Sequence, residues 1–204
     1  MLHMSEINVT NERFMQLFNQ KGERLYFTDE DRKAFLKAAA RAPREVRSFC
    51  SVMLYTGCRI SEALALTPKS IDFSAKVIVF ESLKKRKRGV FRQVPVPPDL
   101  LDTLDMVHGI RQKKGRARTE RLWTWTRMTA WRKMEAVIKA AEIEDGLHAC
   151  PKGLRHGFGV AAVSKGIALN MVQKWLGHAQ LTTTAIYANA VGEEEQSIAS
   201  RMWT

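Results

Sequence analysis

Residues 152–187 read KGLRHGFGVAAVSKGIALNMVQKWLGHAQLTTTAIY, and the periodicity of this stretch decides how the end of the chain folds. Its apolar residues recur at helical spacing in three segments, which predicts helices over about 154–165, 170–176 and 182–188. Arg155 and His156 stand at the start of the first helix, and His178 follows the second in a Gly-His turn. Tyr187 lies at the end of the third. The pattern therefore predicts a helical region with reactive side chains near the helix ends.

These four side chains offer a cation, two imidazoles and a phenol. A phenol is a poor nucleophile at its free pKa of about 10, so Tyr187 can attack at neutral pH only where cations and a proton acceptor favour the phenolate. Such a set suits chemistry at a phosphodiester. The alternative is structural: Arg155 and His178 would be solvated surface residues, and Tyr187 would cap a helical hairpin.

Outside this stretch, helical and alternating patterns follow one another. Thr28 is a good N-cap for a helix from about Asp29, and Pro43 suits the first turn of a second helix that ends at Gly57. Alternating apolar residues over 71–96 predict three short strands, and helices are expected over about 98–111 and 131–141. The predicted fold class is mostly α (α+β), a helical domain with a small three-stranded antiparallel sheet.

The length and the tail bound the domain organisation. With 204 residues, 45% of them hydrophobic, the chain can form one domain with a sizeable core. Residues 1–24 are expected to be a leader or docking arm, and residues 25–204 the domain itself. A tail helix over 192–203 would present Ile198, Met202 and Trp203 as an apolar stripe, our candidate for a contact between protomers.

The charge balance points to a polyanion as partner. The 33 Lys and Arg residues outnumber the 21 Asp and Glu residues, which gives a formal net charge of +12. Because the cations fall in discrete runs and not along one face of an amphipathic helix, nucleic acid is a better candidate than a membrane surface.

Two basic runs are the candidate DNA contacts. The first is the tip of the predicted strand hairpin and the second a loop after the helix expected over about 98–111, and both could follow a phosphate backbone. The alternative for each is a solubilising loop. The hairpin run comprises Lys84, Lys85, Arg86, Lys87, Arg88 and Arg92, and the loop run comprises Lys113, Lys114, Arg116 and Arg118.

Arg59 and Glu62 stand three residues apart where the motif TGCRISEALAL predicts a short helix. Their side chains share the N-terminal end of that helix, where free amide groups and the helix dipole favour an anion. Arg59 adds a planar fork that can bind two phosphate oxygens. A surface ion pair between Arg59 and Glu62 is the simpler alternative.

The cellular compartment follows from what the sequence lacks. No secretory signal precedes the domain, and no apolar run approaches the ~20 residues that a membrane-spanning helix needs. The three cysteines match no paired metal-ligand spacing, so they are interpreted as reduced thiols. A cytoplasmic protein without membrane contact is expected.

Taken in order, these motifs resemble a known family. Arg59 in TGCRISEALAL, the basic hairpin, Arg155 in GLRH, His178 in WLGH and Tyr187 nine positions later are similar to the catalytic domain of the tyrosine recombinases, also called phage-type integrases. The resemblance covers about residues 25–190. It implies the helical catalytic fold of that family and site-specific DNA recombination, such as the integration, excision or inversion of a mobile genetic element.

The resemblance also implies roles at the phosphate. Tyr187 would attack one DNA strand and leave a 3′-phosphotyrosyl link and a free 5′-hydroxyl, so that rejoining needs no ATP. Arg59 and Arg155 would clamp the nonbridging oxygens, and His178 would donate a hydrogen bond to the same phosphate. No metal ion or other cofactor is expected, because guanidinium groups would stabilise the developing charge.

Other residues would support this centre. Lys84 would protonate the departing 5′-oxygen as general acid, with Lys85 and Lys87 as alternatives. Glu62 would orient Arg59 or a neighbouring group. His156 is expected to be structural or to contact the catalytic residues without touching the phosphate.

Two departures from the family pattern stand out. Lys152 occupies the position three residues before Arg155 where the family usually has His. A charged lysine can donate to the phosphate but cannot accept the proton of the tyrosine, so Lys152 is either a tolerated phosphate donor or a cause of reduced activity. The second departure is the short region before the domain, where longer members have an N-terminal helical domain. The chain therefore resembles catalytic-domain-only members such as the fimbrial-switch invertases, or else it is a fragment of a longer protein.

Double-stranded DNA is the expected partner, with four protomers on paired sites. Two other functions remain open from the sequence. The segment 159–177 has the spacing of a helix-turn-helix, which would fit a non-catalytic DNA-binding regulator. A type IB topoisomerase uses the same nucleophile but acts alone on DNA.

Overall fold

The structure is a computed structural model, and it describes residues 16–81, 89–189 and 199–203. Short 3₁₀ turns connect several of its elements. The helices are α1 (Asp29–Arg41), α2 (Arg44–Thr56), α3 (Ile60–Leu64), α4 (Pro98–His108), α5 (Arg127–Ala140), α6 (Pro151–Ser164), α7 (Leu169–Leu176) and α8 (Thr182–Ala185), and the strands are β1 (Ile71–Asp72), β2 (Val77–Glu81) and β3 (Phe91–Pro95). The predicted class, a helical domain with a small sheet, is confirmed.

Local signals explain where the first two helices begin and end. The Thr28 hydroxyl accepts from the Asp31 amide, and the Asp31 carboxylate accepts from the Thr28 amide, so a capping box starts α1. Gly57 ends α2 in the left-handed conformation at φ 59°, and its N–H donates to the Met53 carbonyl. This tight end of α2 places Arg59 directly before α3.

The sheet is antiparallel in the order β1-β2-β3, with Ile78 opposite Val94. Residues of β3 alternate between exposed and buried, as expected where one sheet face covers the core. The hairpin tip, which includes Lys84, Lys85, Arg86, Lys87 and Arg88, lies outside the described residues.

The core forms two clusters. The larger joins α1–α5 to the sheet. The smaller lies beside α6 and α7 and consists of Leu17, Tyr26, Val160, Ala162, Val172, Leu176 and Tyr187. Because Leu17 belongs to it, part of the predicted leader packs on the domain; the proposed division at residue 24 stays a prediction.

Several element boundaries differ from the predictions. Helix α4 ends at His108, because Gly109 adopts φ 59°, and α5 begins four residues earlier than expected, because the Thr126 hydroxyl caps it. Helix α8 ends at Ala185 and continues as a 3₁₀ turn over Ile186–Asn189. Of the predicted tail helix only 199–203 is described, with a 3₁₀ turn at Ser200–Met202 and exposed Met202 and Trp203 side chains.

Within the described ranges, we find no helix with the length and apolarity needed to cross a membrane.

Candidate active site

Arg59 and Glu62 form the first half of the site. Arg59 is the N-cap residue of α3, and its backbone amide donates to Glu62 Oε2 at 2.8 Å. Its Nη1 donates to Glu62 Oε1 at 2.9 Å. The Arg59 side chain keeps 26% of its surface exposed, whereas that of Glu62 keeps 1%. Glu62 thus holds Arg59 from beneath and leaves part of the guanidinium open to a ligand.

Arg92 completes this half from the sheet, and here a prediction needs correction. Because Arg92 ends the basic hairpin run, it was predicted to contact DNA. Its side chain is instead buried, and its Nη1 and Nη2 donate to the two oxygens of Glu62 at 3.2 and 2.7 Å. The guanidinium also lies 4.9 Å from the centre of the Phe80 ring. Because β3 alternates, Arg92 shares the inward face with Val94, so it positions Glu62 instead of contacting DNA.

The carboxylate of Glu62 is therefore charged inside the protein. Burial alone would raise its pKa, but Arg92 and Arg59 outweigh that effect and lower the pKa below its ordinary value of 4.5. Glu62 is thus a permanent anion at neutral pH, shared between two arginines.

Arg155 lies on α6 and is also buried. Its Nη1 donates to the Gly57 carbonyl at 2.6 Å and its Nη2 to the Leu176 carbonyl at 2.7 Å. Of the five N–H donors of a guanidinium, three remain after these bonds, counted over the described residues. Burial, and next the charge of Arg59, lower the pKa of Arg155 to about 10, so it stays charged at neutral pH.

Two arginines fix the turn that carries His178. Arg92 Nε donates to the Trp175 carbonyl at 2.7 Å, beside the Leu176 carbonyl that Arg155 binds. Gly177 then ends α7 at φ 68°, where a Cβ would come within 3.1 Å of the Arg92 side chain. Glycine is needed both for this conformation and for the approach of Arg92.

His178 is buried, and its two ring nitrogens differ. Nδ1 lies 3.0 Å from the Thr184 hydroxyl, while Nε2 is buried without a partner among the described residues. Burial, followed by the charges of Arg155 and Arg59, lowers the pKa of His178 to about 3. The ring is neutral at physiological pH.

Tyr187 lies at the centre of this group, and its side chain is fully buried. Its hydroxyl is 3.3 Å from His156 Nδ1, and its ring stacks on His178 with centroids 6.3 Å apart. Gly159 makes room for it, since a Cβ there would come within 2.4 Å of the Tyr187 ring. Burial raises the pKa of Tyr187 to about 12, although Arg155 and Arg59 act in the opposite direction.

His156 supports Tyr187 from α6. Its ring is buried, and burial, then Lys152 and Arg155, lower its pKa to about 4. The neutral ring can accept the Tyr187 proton in a hydrogen bond. Lys152 lies one helical turn earlier and is exposed. Its predicted role at the phosphate stays a prediction.

The second basic run has the exposure expected of a DNA contact. Lys114, Arg116 and Arg118 are exposed, and Lys113 is half-buried. They lie at and beside the 3₁₀ turn Gly115–Thr119. Their DNA contact also stays a prediction.

The chain also matches a known protein family over most of its length. Residues 26–194 match the model of the phage integrase family. The chain belongs to this family. The expected resemblance to this family is confirmed, and the catalytic roles of Arg59, Arg155, His178 and Tyr187 stay predictions.

Among curated phage integrase relatives, the tyrosine recombinase of Thermosipho africanus is 29% identical over 171 residues, which cover 83% of this chain and 59% of that protein. XerD of Mycobacterium tuberculosis is 34% identical over 153 residues, 69% of this chain and 46% of that protein. The chain thus spans about half the length of these relatives.

Solved structures share the fold. A XerA recombinase superposes with a TM-score of 0.72 at 23% identity, over 87% of this chain and 64% of that one. A XerH site-specific recombinase bound to its difH substrate gives 0.70 at 19%, over 92% and 60%. The catalytic domain of bacteriophage HP1 integrase gives 0.60 at 24%, over 87% and 95%.

Proposed function

We propose that this protein is a site-specific recombinase that cleaves and rejoins DNA strands through Tyr187. The observation that carries the proposal is the convergence of two arginines and a neutral histidine on one buried tyrosine. Arg155 and Arg59 lie close enough to Tyr187 for their charges to favour its phenolate. Together they also favour a bound phosphate, the group at which a tyrosine nucleophile forms a stable ester.

In the proposed reaction, Tyr187 Oη loses its proton to water, attacks a DNA phosphorus as the phenolate, and the bond from phosphorus to the 5′-oxygen breaks. Arg59 and the three remaining N–H groups of Arg155 hold the nonbridging oxygens, and His178 Nε2 donates to one of them. Lys84 gives a proton to the departing 5′-oxygen, and Lys152 adds a cation near the phosphate. The 3′-phosphotyrosyl bond conserves the energy for rejoining.

The burial of Tyr187 adds a condition to this mechanism. A hydroxyl with no solvent-exposed surface cannot meet a phosphate of a DNA duplex, so the turn Ile186–Asn189 has to move before cleavage. The described conformation is the docked state of the nucleophile. Cleavage follows its release toward Arg59 and Arg155.

Double-stranded DNA is the proposed partner, and four protomers on two sites are the proposed assembly. The net charge of +12 and the exposed run at Lys114, Arg116 and Arg118 support the DNA contact. A related fold has been seen on DNA in the XerH pre-cleavage complex. We place this activity in the cytoplasm.

The test is covalent trapping on a suicide DNA substrate made from the regions that flank the gene. Wild-type protein should form a protease-sensitive adduct with the 3′ end of the cleaved strand, and Tyr187→Phe should form none. Tyr26→Phe is the matched control, because Tyr26 lies in the same apolar cluster and loses the same hydroxyl. It should still form the adduct.

Two other outcomes would replace the proposal. Specific DNA binding by the wild type without any adduct would indicate a DNA-binding regulator. Relaxation of supercoiled DNA by a monomer, without paired sites, would indicate a topoisomerase.

A further inference from the structure

Thr184 is the one described residue that contacts a ring nitrogen of His178. Its Oγ1 lies 3.0 Å from His178 Nδ1, and both side chains are buried. This is the only hydrogen bond of the Thr184 hydroxyl to any described residue. The other ring nitrogen, Nε2, is buried and has no partner among those residues. The hydroxyl proton of Thr184 and the ring proton of neutral His178 can therefore be arranged in two ways, with the ring proton on either Nδ1 or Nε2.

The two tautomers of His178 leave different numbers of buried polar groups without a hydrogen-bond partner. If Nδ1 carried the ring proton, it would donate to Thr184, and both the threonine proton and the Nε2 lone pair would be buried without partners. If Nε2 carries it, the threonine donates to Nδ1, and Nε2–H alone is unpaired. Because an unpaired buried polar group is costly, the second arrangement is favoured.

We propose that Thr184 is a positioning residue that donates to Nδ1 and thereby fixes His178 as the Nε2–H tautomer, ready to donate to a phosphate oxygen. The inference rests on the proposed role of His178 in strand cleavage. Thr184 is the last of three consecutive threonines, 182–184, and no sequence motif distinguishes it from the other two.

The tautomer matters because the ring is neutral. A charged imidazole donates through both nitrogens, but a neutral one donates through only one. The groups that act on His178 are Arg155 and His156 on α6, Arg59 before α3 and Arg92 on β3, and they disfavour its charged form. Without Thr184, no described residue would donate to Nδ1, and the ring could adopt the Nδ1–H form, in which Nε2 cannot donate to a phosphate.

The first experiment determines the tautomer of His178 in the free protein, without DNA. Long-range ¹H–¹⁵N correlation spectra of ¹⁵N-labelled protein at neutral pH distinguish a protonated ring nitrogen from an unprotonated one, and His178→Gln identifies the signals. Wild type and Thr184→Ser should show the Nε2–H form. Thr184→Val should shift the ring toward the Nδ1–H form. Thr183→Val, the same change one residue earlier, should leave the spectrum unchanged.

The second experiment measures the rate of adduct formation on the suicide substrate. Thr184→Val should be about 10–100-fold slower than wild type, by analogy with the loss of a partner that orients a metal-binding histidine. Thr184→Ser should restore the rate. In a His178→Gln background Thr184→Val should have no further effect, because the glutamine amide donates whatever residue 184 is.

An Nδ1–H tautomer in the wild type would overturn the inference, as would an unchanged tautomer in folded Thr184→Val. These spectra do not depend on DNA cleavage. Absence of an adduct from the wild type would instead count against the proposed function, while the spectra would still decide the role of Thr184.

Discussion

The two halves of the site are held in different ways. On the phosphate side, Arg59 and Arg92 both donate to the Glu62 carboxylate at 2.7–3.2 Å. Arg92 and Arg155 also donate to neighbouring carbonyls of α7, at residues 175 and 176, each at 2.7 Å. On the nucleophile side, Tyr187 is held by apolar packing and one hydrogen bond of 3.3 Å. In the proposed mechanism this difference separates a fixed set of charge-stabilising donors from a tyrosine that is released before it attacks. Preorganised donors stabilise a transition state most when they need not move.

The largest expected effect comes from breaking the rigid half at its centre. Arg92→Met should reduce the free energy of unfolding by about 3–5 kcal/mol, because the buried Glu62 carboxylate loses its closest counter-charge. Chemical denaturation measures this loss. Adding Glu62→Gln to Arg92→Met should recover part of it, since the buried carboxylate is gone and the remaining charge, Arg59, is partly exposed to solvent.

The free energy of unfolding of Arg92→Met should also depend on pH in a different direction from that of the wild type. In the wild type, the lowered pKa of Glu62 gives stability that is present above the ordinary value of 4.5 and is lost as pH falls through the folded pKa. Without Arg92, burial dominates and raises that pKa. The stability gap between wild type and Arg92→Met should therefore narrow in mild acid; a gap independent of pH would show that Glu62 is not the anion that Arg92 holds.

A conservative change at Arg155 sharpens the comparison. Lysine cannot span the Gly57 and Leu176 carbonyls while also presenting a planar fork, so Arg155→Lys should slow adduct formation by about 10²–10³-fold. Arg111→Lys, at an exposed surface ion pair, is the control and should react like wild type. A slowing of less than tenfold would mean that Arg155 acts mainly as a point charge.

The smallest effect is expected on the nucleophile side. Gly159→Ala places a Cβ against the Tyr187 ring and should displace it at a cost of about 1–3 kcal/mol. The pKa of Tyr187, raised to about 12 by burial, should then fall toward the ordinary value of 10. Spectrophotometric tyrosine titration, with Gly159→Ala/Tyr187→Phe as the reference, measures it. An unchanged titration would show that Tyr187 remains docked.

Much of the fold was predictable because its signals are local. The capping box at Thr28, the glycine at 57 and the alternation over 71–96 each determine one element from neighbouring residues. The candidate site was predictable as a set of residues for a different reason, the ordered resemblance of Arg59, Arg155, His178 and Tyr187 to one family.

The contacts within the site were less accessible from sequence. Arg92 stands at the end of a cationic run, and composition suggested DNA, although its alternation with Val94 placed it on the buried face. The burial of Tyr187 depends on Leu17 and Val172, which are far apart in the chain and meet only in the folded domain. The periodicity of a sequence does not predict contacts between residues that are so far apart in the chain.

The anchoring of the His178 turn to main-chain carbonyls bears on how this protein can evolve. Arg92 and Arg155 bind carbonyl oxygens of residues 175 and 176, and every amino acid supplies that oxygen. Substitutions at exposed positions of α7, such as Lys174, leave both attachment points in place. The outer surface of this helix is therefore free to diversify among descendants while the geometry of the histidine turn is inherited unchanged.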